Sequence, residues 1–583
     1  MGAMTEPAAT RPIDALAAAY WDVFLETNPL FATTLGDRRF DGRLPDPTPE
    51  GEAAARARFA AILAQADDLD ADDPDADRPG DAITLSSLRE GLRADLTFID
   101  SGLLAWNVDP LDGIPVHLLQ AGEYQPAGNP AQAAALLERW RAMPAYTDAH
   151  AATLRRSLAD GLVACTAPVS RVMDILAELL ARPDDDWPLV APLAGLARGD
   201  GGPWSTADRE RFVADVRAVV ADGIRPAFGR LHETLADEIR PAARPADRPG
   251  LCHLPDGEAT YRSLVRAHTS LDATPEELHR TGLAEIDRID AELKDLAGRT
   301  IGTGNLPDAL AALRGDPALH FRTRDEVFAK AVSALERAAE AIPDWFGRLP
   351  QAPCEVVRMG PHEEEHSTIA YYRQPAEDGS RPGQYYVNTA HPETRPRYEA
   401  EVLAYHESIP GHHLQIAIAQ ELAGLPAFRR HLGPTAFFEG WGLYTERLSN
   451  EMGLYSGDLD RIGVLSFDAW RASRLVVDTG MHAMGWTRQQ AIDFMLEHTA
   501  LAPNNIANEV DRYVVIPGQA LAYKTGQLEL LRLRAEARER LGSAFDIRAF
   551  HDTVLGNGAV ALPTLRGIVE AWVAGAATDP TAA

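Results

Sequence analysis

The chain has 583 residues, 45% of them apolar, enough to bury a large core in more than one packing unit. Its 56 basic and 86 acidic residues leave a formal net charge of −30, which argues against a nucleic-acid partner, because phosphate binding needs clustered Lys and Arg; the acidity serves solubility and can attract cationic substrates. The three cysteines, Cys165, Cys252 and Cys354, are too few and too scattered for a disulfide framework or a cysteine metal cluster.

The opening MGAMTEPAATRPIDA lacks a basic start followed by an apolar run, and its Met-Gly-Ala-Met reads as an expression remnant. No stretch is apolar enough to span a bilayer, so the expectation is a cytoplasmic protein with no membrane partner. Helical periodicity then dominates. Residues 13–26 carry an apolar stripe through Leu16, Tyr20 and Val23. The acidic run 67–81 reads as a solvated loop. A helix over 274–296 opens with a capping box, Thr274 to Glu277, with Pro275 in its first turn, and repeats Ile286, Ile289, Leu293 and Leu296 at helical spacing. Segments 354–359, 367–374 and 383–389, rich in β-branched and tyrosine residues, predict a small sheet of about three strands. A second capping box, Thr487 to Gln490, starts a helix over 487–499, and the last long helix, about 519–541, follows the break at Pro517-Gly518. No internal repeat is visible. The predicted organisation is mainly α: an N-terminal helical region over 1–250, and a region over 251–583 carrying the sheet (354–389) and the site helices (396–450), joined as one continuous two-lobed unit with a deep cleft.

Two segments compete as metal motifs. HEEEH, His362 to His366, has the literal i, i+4 histidine spacing that binds zinc from one helix face. It follows Gly360-Pro361, runs into strand-like sequence and has three glutamates with nothing to bury, so a loop is expected. YHESIPGHHLQ (405–415) sits in better company. Tyr398, Val402 and His406 share a stripe, and Glu407 continues another from Leu403. A carboxylate on an inward face is kept only if it is paired, metal-bound or used. On an ideal helix His412, six residues on, faces elsewhere, and His413, seven on, lies roughly 10 Å further along the axis. Pro410 and Gly411 forbid an ideal helix. A bulge of about two residues there would let His412 join His406, with His413 the alternative second ligand.

A single-ion hydrolytic site needs a third protein ligand and one open position. Glu439, between Phe438 and Trp441, is the candidate, with Glu446 behind a histidine to orient it. Gly440 and Gly442 imply that another backbone, such as that of the 406 helix, comes close. Asp478 and His482, at i, i+4, suggest a carboxylate-oriented imidazole facing an oxyanion. Arg512, Tyr513, Tyr523 and Lys524 surround the Pro517-Gly518 break: Arg512 or Lys524 could hold a substrate carboxylate, and Tyr513 or Tyr523 could support a tetrahedral intermediate.

In order, GQYYVNT, YHESIPGHHLQ, FFEGWGLYTE, DTGMH and RYVVIPGQALAYKTG resemble the bacterial family known as domain of unknown function 885, and NPLFATTLG (28–36) and TPEELHRTGL fit as well. The resemblance spans nearly the whole chain. It implies a large helical, gluzincin-like metallopeptidase fold, related branches of which use HExxH plus a downstream glutamate. It therefore implies one Zn2+ per chain on His406, His412 and Glu439, with Glu407 as general base; the two-residue interruption departs from that pattern. The expected function is hydrolysis of amide bonds in short peptides. The rivals are a metal-dependent amidase or deacylase acting on a non-peptide metabolite, and a helical binding protein that has lost the metal.

Overall fold

The computed structural model describes residues 11–69, 80–193, 196, 204–360, 364, 368–377, 379 and 381–578. It is mainly helical with one small three-stranded sheet. The first helix, α1 (Pro12–Thr27), buries Leu16, Tyr20 and Val23. Its Tyr20 meets Phe428 edge-on at 5.3 Å, so the N-terminal region folds back onto the half that carries the site. Of the acidic run, residues 70–79 lie outside the described residues; one helix ends at Asp67 before it and another begins at Asp81 after it. A separate core drawn from residues between Val108 and Ile239 contains Trp140, Trp187 and Phe228.

The next two helices to matter are α2 (Pro275–Thr300) and α3 (Arg324–Ala341). The capping box at Thr274 forms as expected: its hydroxyl accepts the Glu277 N–H while the Glu277 carboxylate accepts the Thr274 N–H. The sheet comprises β1 (Cys354–Arg358), β2 (Ala370–Arg373) and β3 (Gly383–Val387) in the order β1-β3-β2, with β1 parallel and β2 antiparallel to β3. Alternation along β3 sends Tyr385 and Val387 into the core that also receives Tyr405, Trp441 and Tyr444.

Six helices then complete the site half: α4 (Ala400–Glu407), α5 (His412–Gln420), α6 (Thr435–Glu451), α7 (Asp458–Met484), α8 (Pro503–Val515) and α9 (Leu521–Leu541). The predicted helix over 487–499 is Arg488–His498, opened by the Thr487–Gln490 box. α7 is the axle of this half: nearly every side chain from Ile462 to His482 is buried, and Ile462, Leu465 and Ala472 pack on Ile286, Ile289 and Leu293 of α2. α4 is pinned by its buried Glu401, which accepts from Arg337 at 2.6 Å and Lys330 at 2.8 Å, and by the Tyr405 hydroxyl, which donates to the Leu454 carbonyl at 2.9 Å. No described helix is long and apolar enough to cross a membrane.

Candidate metal centre

The expected bulge is a full break. α4 stops at Glu407, the Ile409–Pro410 peptide is cis, and α5 starts at His412. The chain doubles back on the end of α4 so tightly that a Cβ at Gly411 would lie 1.9 Å from the His406 carbonyl oxygen and 2.4 Å from that of Tyr405, so only glycine fits. Three hydrogen bonds hold the break. The His413 N–H donates to the Ser408 carbonyl at 3.0 Å, the Trp441 indole donates to the Pro410 carbonyl at 3.0 Å, and the Ser408 hydroxyl donates to the Ala404 carbonyl at 2.5 Å.

The break carries His412 back to His406. Their rings stand perpendicular with centroids 4.6 Å apart. Glu439 reaches in from α6, its Oε2 lying 3.6 Å from the Nε2 of each histidine. Ligand atoms of all three residues lie within 4.8 Å of one another and could hold a metal ion. Donors placed 2.0–2.1 Å from a tetrahedral ion are about 3.3–3.4 Å apart, close to the 3.6 Å observed. His406 Nδ1–H donates to Glu446 Oε1 at 2.8 Å, which fixes the ring and presents Nε2 to the shared point. Arg471 in turn reaches Glu446 Oε1 at 3.3 Å. His406 is buried, but side-chain exposures of 12% for His412 and 20% for Glu439 open the triad to solvent on that side.

The electrostatics call for positive charge at this point. Burial opposes protonation of His406, yet the carboxylates of Glu439 and Glu446 outweigh it and raise its pKa to about 10. Burial pushes Glu439 up, but the two histidines hold it well below the ordinary carboxylate range. Glu407, half-buried beside the triad, is raised: burial and the Glu439 charge exceed the pull of His406, His412 and Arg471. The buried Tyr385 of β3 is raised well above 10 by burial and then by the charge of Glu407, which places it at the same site.

Glycines shape the pocket. A Cβ at Gly442 would sit 2.6–3.0 Å from three ring atoms of His406, and one at Gly440 would strike the α9 backbone at Gly526, 2.5 Å away. The close approach expected at these two glycines is therefore to the His406 ring and to α9, not to the backbone of the 406 helix.

Other expectations are corrected. His413 is not a ligand: its Nδ1 pairs with the Tyr372 hydroxyl at 2.9 Å and its Nε2 with the Ala352 carbonyl at 3.0 Å. His482 is wholly buried; Nε2–H donates to the Tyr513 carbonyl at 2.9 Å and Nδ1 accepts the Leu251 N–H at 3.1 Å, so no donor remains for an oxyanion. Asp478 does not orient it, accepting instead from the Tyr261 hydroxyl at 2.5 Å and the Gly518 N–H at 3.1 Å. The Tyr513 hydroxyl is spent as well, donating to Glu509 at 2.7 Å and accepting from Arg474 at 3.0 Å and Trp470 at 3.2 Å. Lys524 cannot meet a substrate: fully buried, its ammonium donates to Asp468 at 2.5 Å, Gln527 at 2.8 Å and Glu285 at 2.9 Å. His482, Asp478, Tyr513 and Lys524 lie on or against α7, which is buried along nearly its whole length, so each polar group finds an internal partner. Arg512 keeps 23% of its side chain exposed and donates to the hydroxyl of the buried Tyr523 at 3.3 Å. His362 and His366 lie outside the described residues; Glu364 between them is buried and accepts from Thr389 at 2.9 Å.

Tyr385 and Arg471 went unread in the sequence. Tyr385 stood inside a strand motif whose alternation marks it as inward-facing, and Arg471 is a cation in an otherwise apolar helix; either signal would have raised them.

The model of a bacterial protein family of unknown function, DUF885, matches residues 29–569. A candidate lipoprotein of Colwellia psychrerythraea, known from its crystal structure, superposes on 97% of this chain and 99% of its own with a TM-score of 0.89 at 26% identity. A candidate lipoprotein of unknown function from Shewanella oneidensis does so over 97% and 100% with a TM-score of 0.73 at 18% identity. The M32 carboxypeptidase of Deinococcus radiodurans R1 aligns over 97% and 99% with a TM-score of 0.34 and 11% identity, too low to establish a shared fold. No curated protein matches the chain.

Proposed function

The chain belongs to this bacterial family, DUF885, and we propose that it is a zinc-dependent hydrolase of amide bonds in short peptides, with one ion per chain. The observation that carries the reading is the convergence of His406, His412 and Glu439 on one point, with the half-buried Glu407 beside them. Two imidazole nitrogens and one carboxylate suit zinc and leave a fourth tetrahedral position open, as catalytic rather than structural sites do. When bound, zinc would lower the pKa of a water to near 7 and polarise a carbonyl.

The chain's own groups do the rest. Glu446 fixes the His406 tautomer. Glu407, the first residue past His406, takes a proton from the attacking water and passes it to the leaving amine; burial brings its pKa up toward the working range of such a base. Tyr385, its pKa raised well above 10, stays protonated and keeps an O–H to donate, which suits a developing oxyanion.

The test compares wild type with Glu407→Gln on a panel of di- and tripeptides and N-acyl amino acids, alongside metal analysis. The expected result is about one zinc per chain in both proteins and turnover reduced about 10²–10⁴-fold in the variant, the usual worth of a general base. Undiminished turnover removes Glu407 from the mechanism. Cleavage confined to N-acyl amino acids moves the substrate class to an amidase, and protein that takes up no metal supports a binding role instead.

A further inference from the structure

A second cluster of buried charge lies on α7 past the triad. Arg474 is 2% exposed. Its Nε donates to the Tyr513 hydroxyl at 3.0 Å and one terminal nitrogen donates to Glu509 at 2.9 Å, while the other, Nη1, is buried with no partner among the described residues. Its guanidinium lies 4.2 Å from the centre of the Tyr523 ring. Arg512 comes from α8 with 23% of its side chain exposed. It donates to Gln519 at 3.0 Å and to the Tyr523 hydroxyl at 3.3 Å, and approaches Glu509 only to 3.9 Å.

Two guanidinium groups therefore share one carboxylate. Among the described residues Glu509 is the single acid within ion-pair distance of either. Asp109 and Asp478 act on them from farther off and are held elsewhere, Asp109 by the Leu111 N–H at 2.7 Å and Asp478 by Tyr261 and Gly518. A buried guanidinium N–H left unpaired is costly, so its retention points to an acceptor that arrives from outside. The Tyr523 hydroxyl likewise donates to no described residue. The cluster is joined to the triad. Arg471 and Arg474 both lie against Trp470, 4.5 and 4.7 Å from its ring centre and so no more than about 9 Å apart. Arg471 also touches Glu446, which holds His406.

We propose that Arg474, Arg512 and Tyr523 form a carboxylate subsite that receives the free C-terminus of a short peptide whose amide lies at the triad; the peptide part rests on the function proposed above. Arg512, the more exposed of the two arginines, is the entry side, and Arg474 supplies the unpaired donor at the bottom. Paired guanidinium forks favour the planar carboxylate over a neutral polar group.

The probes are 3-phenylpropanoate and 3-phenylpropan-1-ol, neither hydrolysable, titrated calorimetrically into the full chain with and without bound metal so that coordination to the ion is not read as the subsite. The carboxylate is expected to bind at least tenfold more tightly than the alcohol in both states. Arg512→Gln should abolish that preference, Arg512→Lys should keep a part of it, and Glu509→Gln, which removes the competing acid, should tighten carboxylate binding at least threefold. Equal affinity for the two probes, binding of neither, a preference that survives Arg512→Gln, or no gain in Glu509→Gln overturns the subsite. The preference without any peptide turnover leaves the subsite standing and removes the peptidase reading; peptide turnover without the preference does the reverse.

Discussion

Replacing Gly442 by alanine tests the geometry of the centre through a single methyl group. The new Cβ would sit 2.6 Å from Cε1 of His406 and 2.9 and 3.0 Å from its two nitrogens. Ordinary carbon contacts lie near 3.5–4.0 Å, so the ring or its helix must yield by about 1 Å. The ring is not free to swing, because Glu446 holds Nδ1 at 2.8 Å. A metal–nitrogen bond tolerates only about ±0.2 Å, so such a displacement is roughly five times what coordination accepts. Crowding costs about 1–3 kcal/mol, offset by about 1 kcal/mol from exchanging glycine for alanine within a helix. The metal-free fold should therefore lose no more than about 2 kcal/mol. Zinc affinity should fall about 10–100-fold or more, the usual effect of disturbing ligand orientation. Competition against a chelator of known affinity measures the second quantity and urea unfolding of metal-free protein the first. A folded Gly442→Ala protein that binds zinc within threefold of wild type would show that His406 is not a ligand. Gly440→Ala is the contrasting case: its Cβ strikes the backbone of Gly526, so it should destabilise the fold with or without metal.

Three other perturbations separate the centre from its surroundings. His413→Gln should retain one ion per chain by elemental analysis, because His413 is held by Tyr372 and Ala352; loss of the ion would return it to the ligand set. Lys524→Met should cost about 1–3 kcal/mol in urea unfolding, since it takes one charged donor from the buried Asp468, which keeps Arg447 and Arg288; a variant of undiminished stability but poorer substrate affinity would restore its binding role. Burial lowers His482 and His551 from 6.5 to about 3, so between those values the unfolded chain binds more protons than the folded one. The contribution of these two imidazoles is then full above about pH 6.5 and falls as pH drops toward 3, and His482→Gln, though less stable, should flatten the slope of stability with pH by about 1.4 kcal/mol per pH unit. An unchanged slope would mean that His482 is not buried in neutral form.

Much of the fold was legible because it rests on local signals. The capping boxes at Thr274 and Thr487 form, and the runs rich in β-branched and tyrosine residues are the three strands, because these patterns act within a few residues of chain. The centre was legible as far as a stripe could show it: His406 and Glu407 continue apolar rows of one helix, and Pro410-Gly411 announces that the helix must break. The form of the break was not, because it depends on Trp441 of another helix donating to the Pro410 carbonyl. His482, Asp478, Tyr513 and Lys524 misled for a related reason. Spacing shows which face of a helix a polar residue occupies, but not what packs against that face, and around α7 every face is covered.

The most direct measurement is anomalous diffraction at the zinc edge from crystals of metal-loaded protein. One peak per chain is expected, about 2.0–2.2 Å from His406 Nε2, His412 Nε2 and a Glu439 carboxylate oxygen. A peak bound by His413 in place of His412, or no peak between the three side chains, would contradict it.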